Sequence, residues 1–228
     1  MGYPDLADRL AQVREVITQR QAAAGWTHPV QIIGVVKTHG PEAVRAAHRA
    51  GLEAVAENRV QEALAKQAVL ADTPVAWHLI GPLQRNKVRQ VVGRFALLHA
   101  VDRPELVTEL AKRVSADWPQ PILLEVNCSG EAQKAGVDAE ALPGLIDLVR
   151  EHPQLELRGL MAMAPFTSDE TVQRKVFRRL RSLQDVMQQR GIELPELSMG
   201  MSGDYPVAVE EGATMVRLGT VLFGERTS

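Results

Sequence analysis

The chain has 228 residues, 45% of them hydrophobic and 24% charged, with a formal net charge of -2 at pH 7. That length can bury a full-sized core in one large α/β domain or two small ones, and the charge balance leaves no electrostatic footprint for nucleic acid or an acidic membrane surface. The one cysteine, Cys128, excludes an internal disulfide framework and fits a reducing compartment; no apolar stretch approaches the ~20 residues of a membrane helix, so a cytoplasmic protein is expected.

Residues 4–23 come first, with Leu6, Leu10, Val13 and Ile17 at helical spacing. Asp5, Asp8, Arg9, Arg14 and Glu15 break any apolar run of a signal peptide, so this segment predicts an amphipathic helix. From there short apolar, often β-branched runs alternate with longer amphipathic segments. Strands are expected at 32–36, 53–56, 76–80, 96–100, 122–126, 155–161, 196–199 and 215–218. Several are nearly continuous hydrophobic runs, as parallel strands buried on both faces require.

Helices fill the intervals. Gly40-Pro41 opens one that runs through Ala46, Ala47 and Ala50 to Gly51, with proline at the first helical position. Asp102 is expected to cap the helix carrying Leu106, Val107 and Leu110. Thr167 and Glu170 have the spacing of a capping box for a long helix through Val176, Leu180, Leu183 and Met187, ending at Gly191. Strands joined by helices imply a parallel sheet. Closed on itself, it is a single α/β (β/α)8 TIM-type barrel over residues 1–228 with an extra N-terminal helix, near the ~250 residues usual for that fold. An open doubly-wound sheet is the alternative; no GxGxxG opens a helix after a strand, which weakens its dinucleotide-binding version.

In a barrel the chemistry sits at the carboxyl ends of the strands. There this chain has Lys37-Thr38-His39-Gly40, Glu57-Asn58-Arg59, His78 with Gly81, His99 with Asp102, Asn127-Cys128-Ser129-Gly130, Ser198-Met199-Gly200-Met201-Ser202-Gly203, and Arg217 before Gly219-Thr220. A lysine ending the run Ile-Ile-Gly-Val-Val is expected to enter a low-dielectric cavity, where burial favours the neutral amine that attacks an aldehyde. Taken alone, the commoner role of such a lysine is to snorkel to solvent. The turns Ser202-Gly203 and Gly219-Thr220 follow the last two strands, where barrels often bind phosphate through backbone N–H groups and hydroxyls. Arg217 should face the same cavity by strand alternation, or else be neutralised by Glu125 or Glu57. An amine, a cation and a phosphate site together suit a phosphorylated aldehyde. The six histidines form no His-x-x-x-His pair, so no metal site is expected. Arg174, Lys175, Arg178, Arg179 and Arg181 read as a solvated helix face.

These residues lie within a longer series: Val35-Val36-Lys37-Thr38, Glu57-Asn58 with Gln61-Glu62, Trp77-His78-Leu79-Ile80-Gly81, Leu83-Gln84-Arg85-Asn86-Lys87, Val101-Asp102-Arg103, Lys134-Ala135-Gly136, Leu197-Ser198-Met199-Gly200-Met201-Ser202 and Thr214-Met215-Val216-Arg217-Leu218-Gly219-Thr220. In that series the chain resembles the pyridoxal-phosphate homeostasis protein family (YggS/PROSC-like). The resemblance implies a fold-type III barrel like the N-terminal domain of alanine racemases, with pyridoxal 5′-phosphate carried as a Schiff base on Lys37. It further implies that Arg217 faces the pyridine nitrogen, that Ser202, Gly219 and Thr220 hold the phosphate, and that Asn58, His78, Ser198 and Met199 line the pocket. The family often has a second lysine two positions after the first; here the residue is His39.

A carboxylate at the pyridine nitrogen makes the ring an electron sink, whereas an arginine can only donate. The favoured function is therefore a non-catalytic carrier in vitamin B6 homeostasis, with PLP-dependent acceptor enzymes as the partners the family implies and a monomer expected. The alternatives are a PLP-dependent amino-acid racemase of low activity and a Schiff-base aldolase.

Overall fold

Eight parallel strands close into a ring in the computed structural model, which describes residues 2–131 and 135–225. Lys134 lies outside the described residues. The strands are β1 Gln31–Val35, β2 Ala54–Glu57, β3 Ala76–Leu79, β4 Leu97–Val101, β5 Gln120–Glu125, β6 Leu155–Met161, β7 Glu196–Met201 and β8 Met215–Leu218. They pair in sequence order, and β8 returns to β1 with Gln31 opposite Met215 and Ile33 opposite Arg217, so the open doubly-wound alternative is excluded.

Strand alternation divides the apolar side chains into two cores. Ile33, Val35, Ala54, Ala56, Leu97, Leu123, Met161 and Met215 fill the barrel interior. Val36, Val55, Leu79, Leu98, Ile122, Leu124, Leu160, Leu197 and Val216 face outward into the layer shared with the helices. Burial on both faces is what the near-continuous hydrophobic runs require.

The helices are α1 Leu6–Ala24, α2 Pro41–Arg49, α3 Val60–Ala68, α4 Val88–Val91, α5 Pro104–Ala111, α6 Leu142–Arg150, α7 Glu170–Gln189, α8 Tyr205–Glu210 and α9 Thr220–Phe223. Leu6, Leu10, Val13 and Ile17 are the buried stripe of α1, at ~1.5–3 kcal/mol of transfer free energy for each large side chain. Among the described residues no helix is long and apolar enough to cross a membrane.

Two helix starts differ from expectation. Asp102 does not cap α5: the N-cap is Arg103, without a side-chain bond, and Asp102 is ion-paired to the Arg103 guanidinium instead. The long helix α7 is capped by Asp169, which accepts from Thr171 N at 2.8 Å, while Thr167 Oγ1 accepts from Asp169 N one turn earlier. The basic face of α7 is also less solvated than its composition implies. Arg174 and Arg178 pair with Glu210 and Glu211 on and after α8, and Arg181 stacks 4.2 Å over the Trp26 ring. These contacts fasten α7 to the segment that carries the loop after β7.

Candidate ligand site at the barrel mouth

A cavity of about 520 Å3 opens at the carboxyl ends of the strands, within the ~300–1,000 Å3 range of small-molecule sites. Six of the nine residues expected to form a site line it: Lys37, Asn58, Ser202, Arg217, Gly219 and Thr220. The other three do not. His78 and Ser198 are buried beneath its floor, and Met199 packs outward in the helix-facing core. The Met199 side chain is thus no part of the pocket, because an inward Ser198 obliges its neighbour to point the other way.

Lys37 follows β1. The ladder with β2 runs one residue past the strand, through Val36 N–H to Ala56 O at 3.0 Å. The chain then turns, and His39 N donates back to Val36 O at 3.1 Å. Thr38 takes the third position of this turn with φ +69, a left-handed conformation that β-branched residues rarely adopt and that costs on the order of 1–3 kcal/mol. Lys37 reaches the cavity from this turn and is exposed, so the expectation of an enclosed amine is not met. His39, also on the cavity wall, receives the Tyr3 hydroxyl at 3.0 Å from Nδ1.

Arg217 is 3% exposed and hydrogen-bonded on three sides. Nη1 donates to Ser198 O at 2.7 Å and to Ser198 Oγ at 2.6 Å, and Nη2 donates to Ala162 O at 3.0 Å. Neither carboxylate suggested as its partner bonds to it. Glu57 is paired with Lys66, and Glu125 acts on Arg217 through its field alone. Burial lowers the guanidinium to about 10, against the opposing charges of Asp204 and Glu125, so it stays cationic at neutral pH. Burial raises Glu125 to about 7, helped by Asp102.

The bonds continue inward from Arg217. Ser198 Oγ is 2.9 Å from His99 Nδ1, and His99 Nε2 is 3.0 Å from His78 Nδ1. Arginine has only protons to give, so Ser198 accepts from it and passes its own proton toward His99. His99 then donates from Nε2 to His78, which keeps its proton on Nε2. Both rings are neutral in this arrangement: burial lowers His78 to about 4 and His99 well below its ordinary value.

Opposite, Ser202 Oγ accepts from Gly219 N at 3.1 Å and from Val221 N at 3.3 Å, at the start of α9. With those two N–H groups spent on its oxygen, its own proton and the Thr220 hydroxyl are the neutral donors that face the cavity for a small anion. Sequence reasoning missed several wall residues. Pro165 and Phe166 come from the loop after β6, and Phe166 is wholly exposed at the rim. Asp204 was also missed; it caps β7 by accepting from Met201 N at 2.5 Å. Gly81, expected at the end of the third strand, is on the wall too: a Cβ there would stand 2.2 Å from Asn58 O, so only glycine lets β3 end against the cavity-lining Asn58.

The family model described as alanine racemase, N-terminal domain, matches residues 9–227. A pyridoxal phosphate homeostasis protein of Aquifex aeolicus is 43% identical over 222 residues, 96% of this chain and 97% of that one. Its namesake in Pseudomonas aeruginosa is 44% identical over 223 residues, 97% of this chain and 96% of that one. The structure of PipY from Synechococcus elongatus with PLP bound has a TM-score of 0.84 at 38% identity, covering 96% of this chain and 100% of that one. An alanine racemase of Clostridium difficile, at 15% identity and TM-score 0.77, covers 100% of this chain and is itself covered over 58%; it shares the fold.

Proposed function

We propose a function from one premise: this chain belongs to the pyridoxal phosphate homeostasis protein family, on the alanine racemase N-terminal barrel. It binds pyridoxal 5′-phosphate at the barrel mouth and buffers or delivers it as part of vitamin B6 homeostasis. The observation that carries this reading is the convergence of Lys37, Arg217 and the Ser202–Gly219–Thr220 donors on one cavity.

The donor set fits the ligand's chemistry. Lys37 offers a primary amine at the open side of the cavity. Ser202 and Thr220 offer hydroxyl donors for a phosphate, with Gly219 beside them on the cavity wall. Arg217 has an Nη2–H and its Nε–H beyond the three bonds described, and its orientation is fixed by Ser198 and Ala162. Asn58 is a further polar group on the cavity wall. When bound, the vitamer supplies an aldehyde for reversible covalent condensation with an amine, with release of water. This chain's residues bind, orient and release it; the arginine donor argues against strong carbanion chemistry and so for a carrier. Its field of action is the cytoplasm, supported by the single buried Cys128, whose thiol burial pushes up to about 12, and its partners are acceptor enzymes that use the same cofactor.

The test is borohydride reduction of protein mixed with pyridoxal phosphate, followed by peptide mapping, alongside the visible absorbance of Lys37→Ala. Modification at Lys37 and a colourless variant are expected. A label on another lysine, or unchanged colour in the variant, overturns the assignment.

A further inference from the structure

We infer that Lys66 and Glu57 form a buried clamp that positions Lys37. The inference rests on the reading of Lys37 as the amine that meets the cofactor's aldehyde. Neither residue touches the cavity, so theirs is a positioning role.

Lys66 lies on α3, and nothing in its local sequence separates it from a helix-surface lysine. Instead it is 8% exposed and turned into the layer between α3 and the sheet. Its ammonium meets two acceptors. One is Glu57 Oε1 at the end of β2; the other is Val36 O, at 2.7 Å. That carbonyl belongs to the residue immediately before Lys37, and it also accepts His39 N to close the turn. Val36 O therefore takes two donors, one from its own turn and one from α3, which lies beyond α2 and β2 in the chain.

The partner carboxylate is 0% exposed, and its second oxygen, Oε2, is the one buried side-chain polar atom without a hydrogen-bond partner among the described residues. Burial raises Glu57 above the usual carboxylate range, opposed by Lys66 and by the Asn58 backbone N–H. An ion pair in this setting contributes little stability, and apolar residues of similar volume often replace such pairs without loss. What the pair supplies is direction. The Val36–His39 turn contains Thr38 at a strained positive φ, and such strain persists only where surrounding contacts hold it. The Lys66 ammonium holds the carbonyl on which this turn closes, and Glu57 holds the ammonium. The next residue along from Glu57 is Asn58, on the cavity wall, so the same pair ties together two neighbouring strand ends of the site.

The experiment uses the full chain in three forms: Lys66→Met, the charge-neutralised double variant Glu57→Leu/Lys66→Met, and Lys37→Ala. Pyridoxal phosphate is the probe, and borohydride trapping at Lys37 gives the rate of covalent capture. Hydrogen exchange of the His39 amide is read without the probe. The double variant should unfold at or above the wild-type temperature, yet trap pyridoxal phosphate at least ten-fold more slowly, with faster exchange confined to the 36–39 turn. If the pair serves stability alone, the double variant captures at the wild-type rate with unchanged His39 exchange, and the clamp is refuted. Lys66→Met shows the same slow capture if it folds; if it does not, the double variant carries the test. Trapping that persists at another lysine in Lys37→Ala would instead defeat the parent assignment, whatever the clamp does.

Discussion

Two buried groups near the site titrate in opposite senses across one pH interval, and their substitution should split the stability profile of the protein. The His78 imidazole falls from 6.5 to about 4 on burial. Between those values the unfolded chain binds a proton that the folded chain refuses, so stability is lost as pH falls. At about 1.4 kcal/mol per pH unit, the loss is about 3 kcal/mol by pH 4. Glu125 rises from 4.5 to about 7. Between 7 and 4.5 the folded chain takes up a proton that the unfolded chain does not, so stability is gained as pH falls, again by about 3 kcal/mol. The two nearly cancel in the wild type. His78→Gln keeps an acceptor for His99 and removes the loss, so it should become more stable at pH 4.5 relative to pH 7 than the wild type is, by about 2–3 kcal/mol. Glu125→Gln should shift the profile by a similar amount the other way and be the more stable protein at pH 7. Urea unfolding at the two pH values measures both differences. Profiles parallel to the wild type within about 1 kcal/mol would show that the interior is wet or polar enough to solvate these charges, and the account of the site floor would fail.

Gly81→Ala should lower the melting temperature and weaken pyridoxal phosphate retention together, because its Cβ would stand 2.2 Å from Asn58 O; thermal melts with and without the vitamer read both. Ser202→Ala removes the hydroxyl that accepts Gly219 and Val221 N–H. A charge-assisted bond of ~1.5–3 kcal/mol predicts at least about ten-fold weaker equilibrium binding of pyridoxal phosphate, with capture of unphosphorylated pyridoxal unchanged.

The strands were legible because most are short apolar runs, several of them β-branched, buried on both faces, and the expected ends of β1, β2, β4 and β8 lie within a residue of those observed. The start of β5 was hidden by its composition. Gln120 and Pro121 do not read as strand, yet Gln120 pairs in register with Leu155 and spends its side-chain amide on Phe95 O at 3.0 Å. The site was legible where the residue type states its chemistry, as at Lys37, Arg217 and Ser202. It was illegible where direction decides. Met199 shares a motif with Ser198 but faces away from it, and the register shift between Ser198 and Met201 brings Met201 to the cavity wall. Long-range pairing was hidden too. Nothing local distinguishes Lys66 from a solvated helix lysine, or tells Glu57 to choose it over Arg217.

The same geometry bears on why a barrel shared with alanine racemases would serve as a carrier. An enzyme that forms carbanions gains from a site that excludes water and from a second acid or base across the substrate. Here Lys37 is exposed, and the rim residue Phe166 is wholly exposed. The buried side of the site is, by contrast, fixed: Arg217 is held by Ser198 and Ala162, and Ser198 in turn by a neutral histidine pair. A rigid floor beneath an open mouth favours recognition of a ligand that must also leave. Because Arg217 stays charged at neutral pH, no change of pH within the physiological range turns it into an acceptor, and on the proposed reading it meets the ligand as a donor alone.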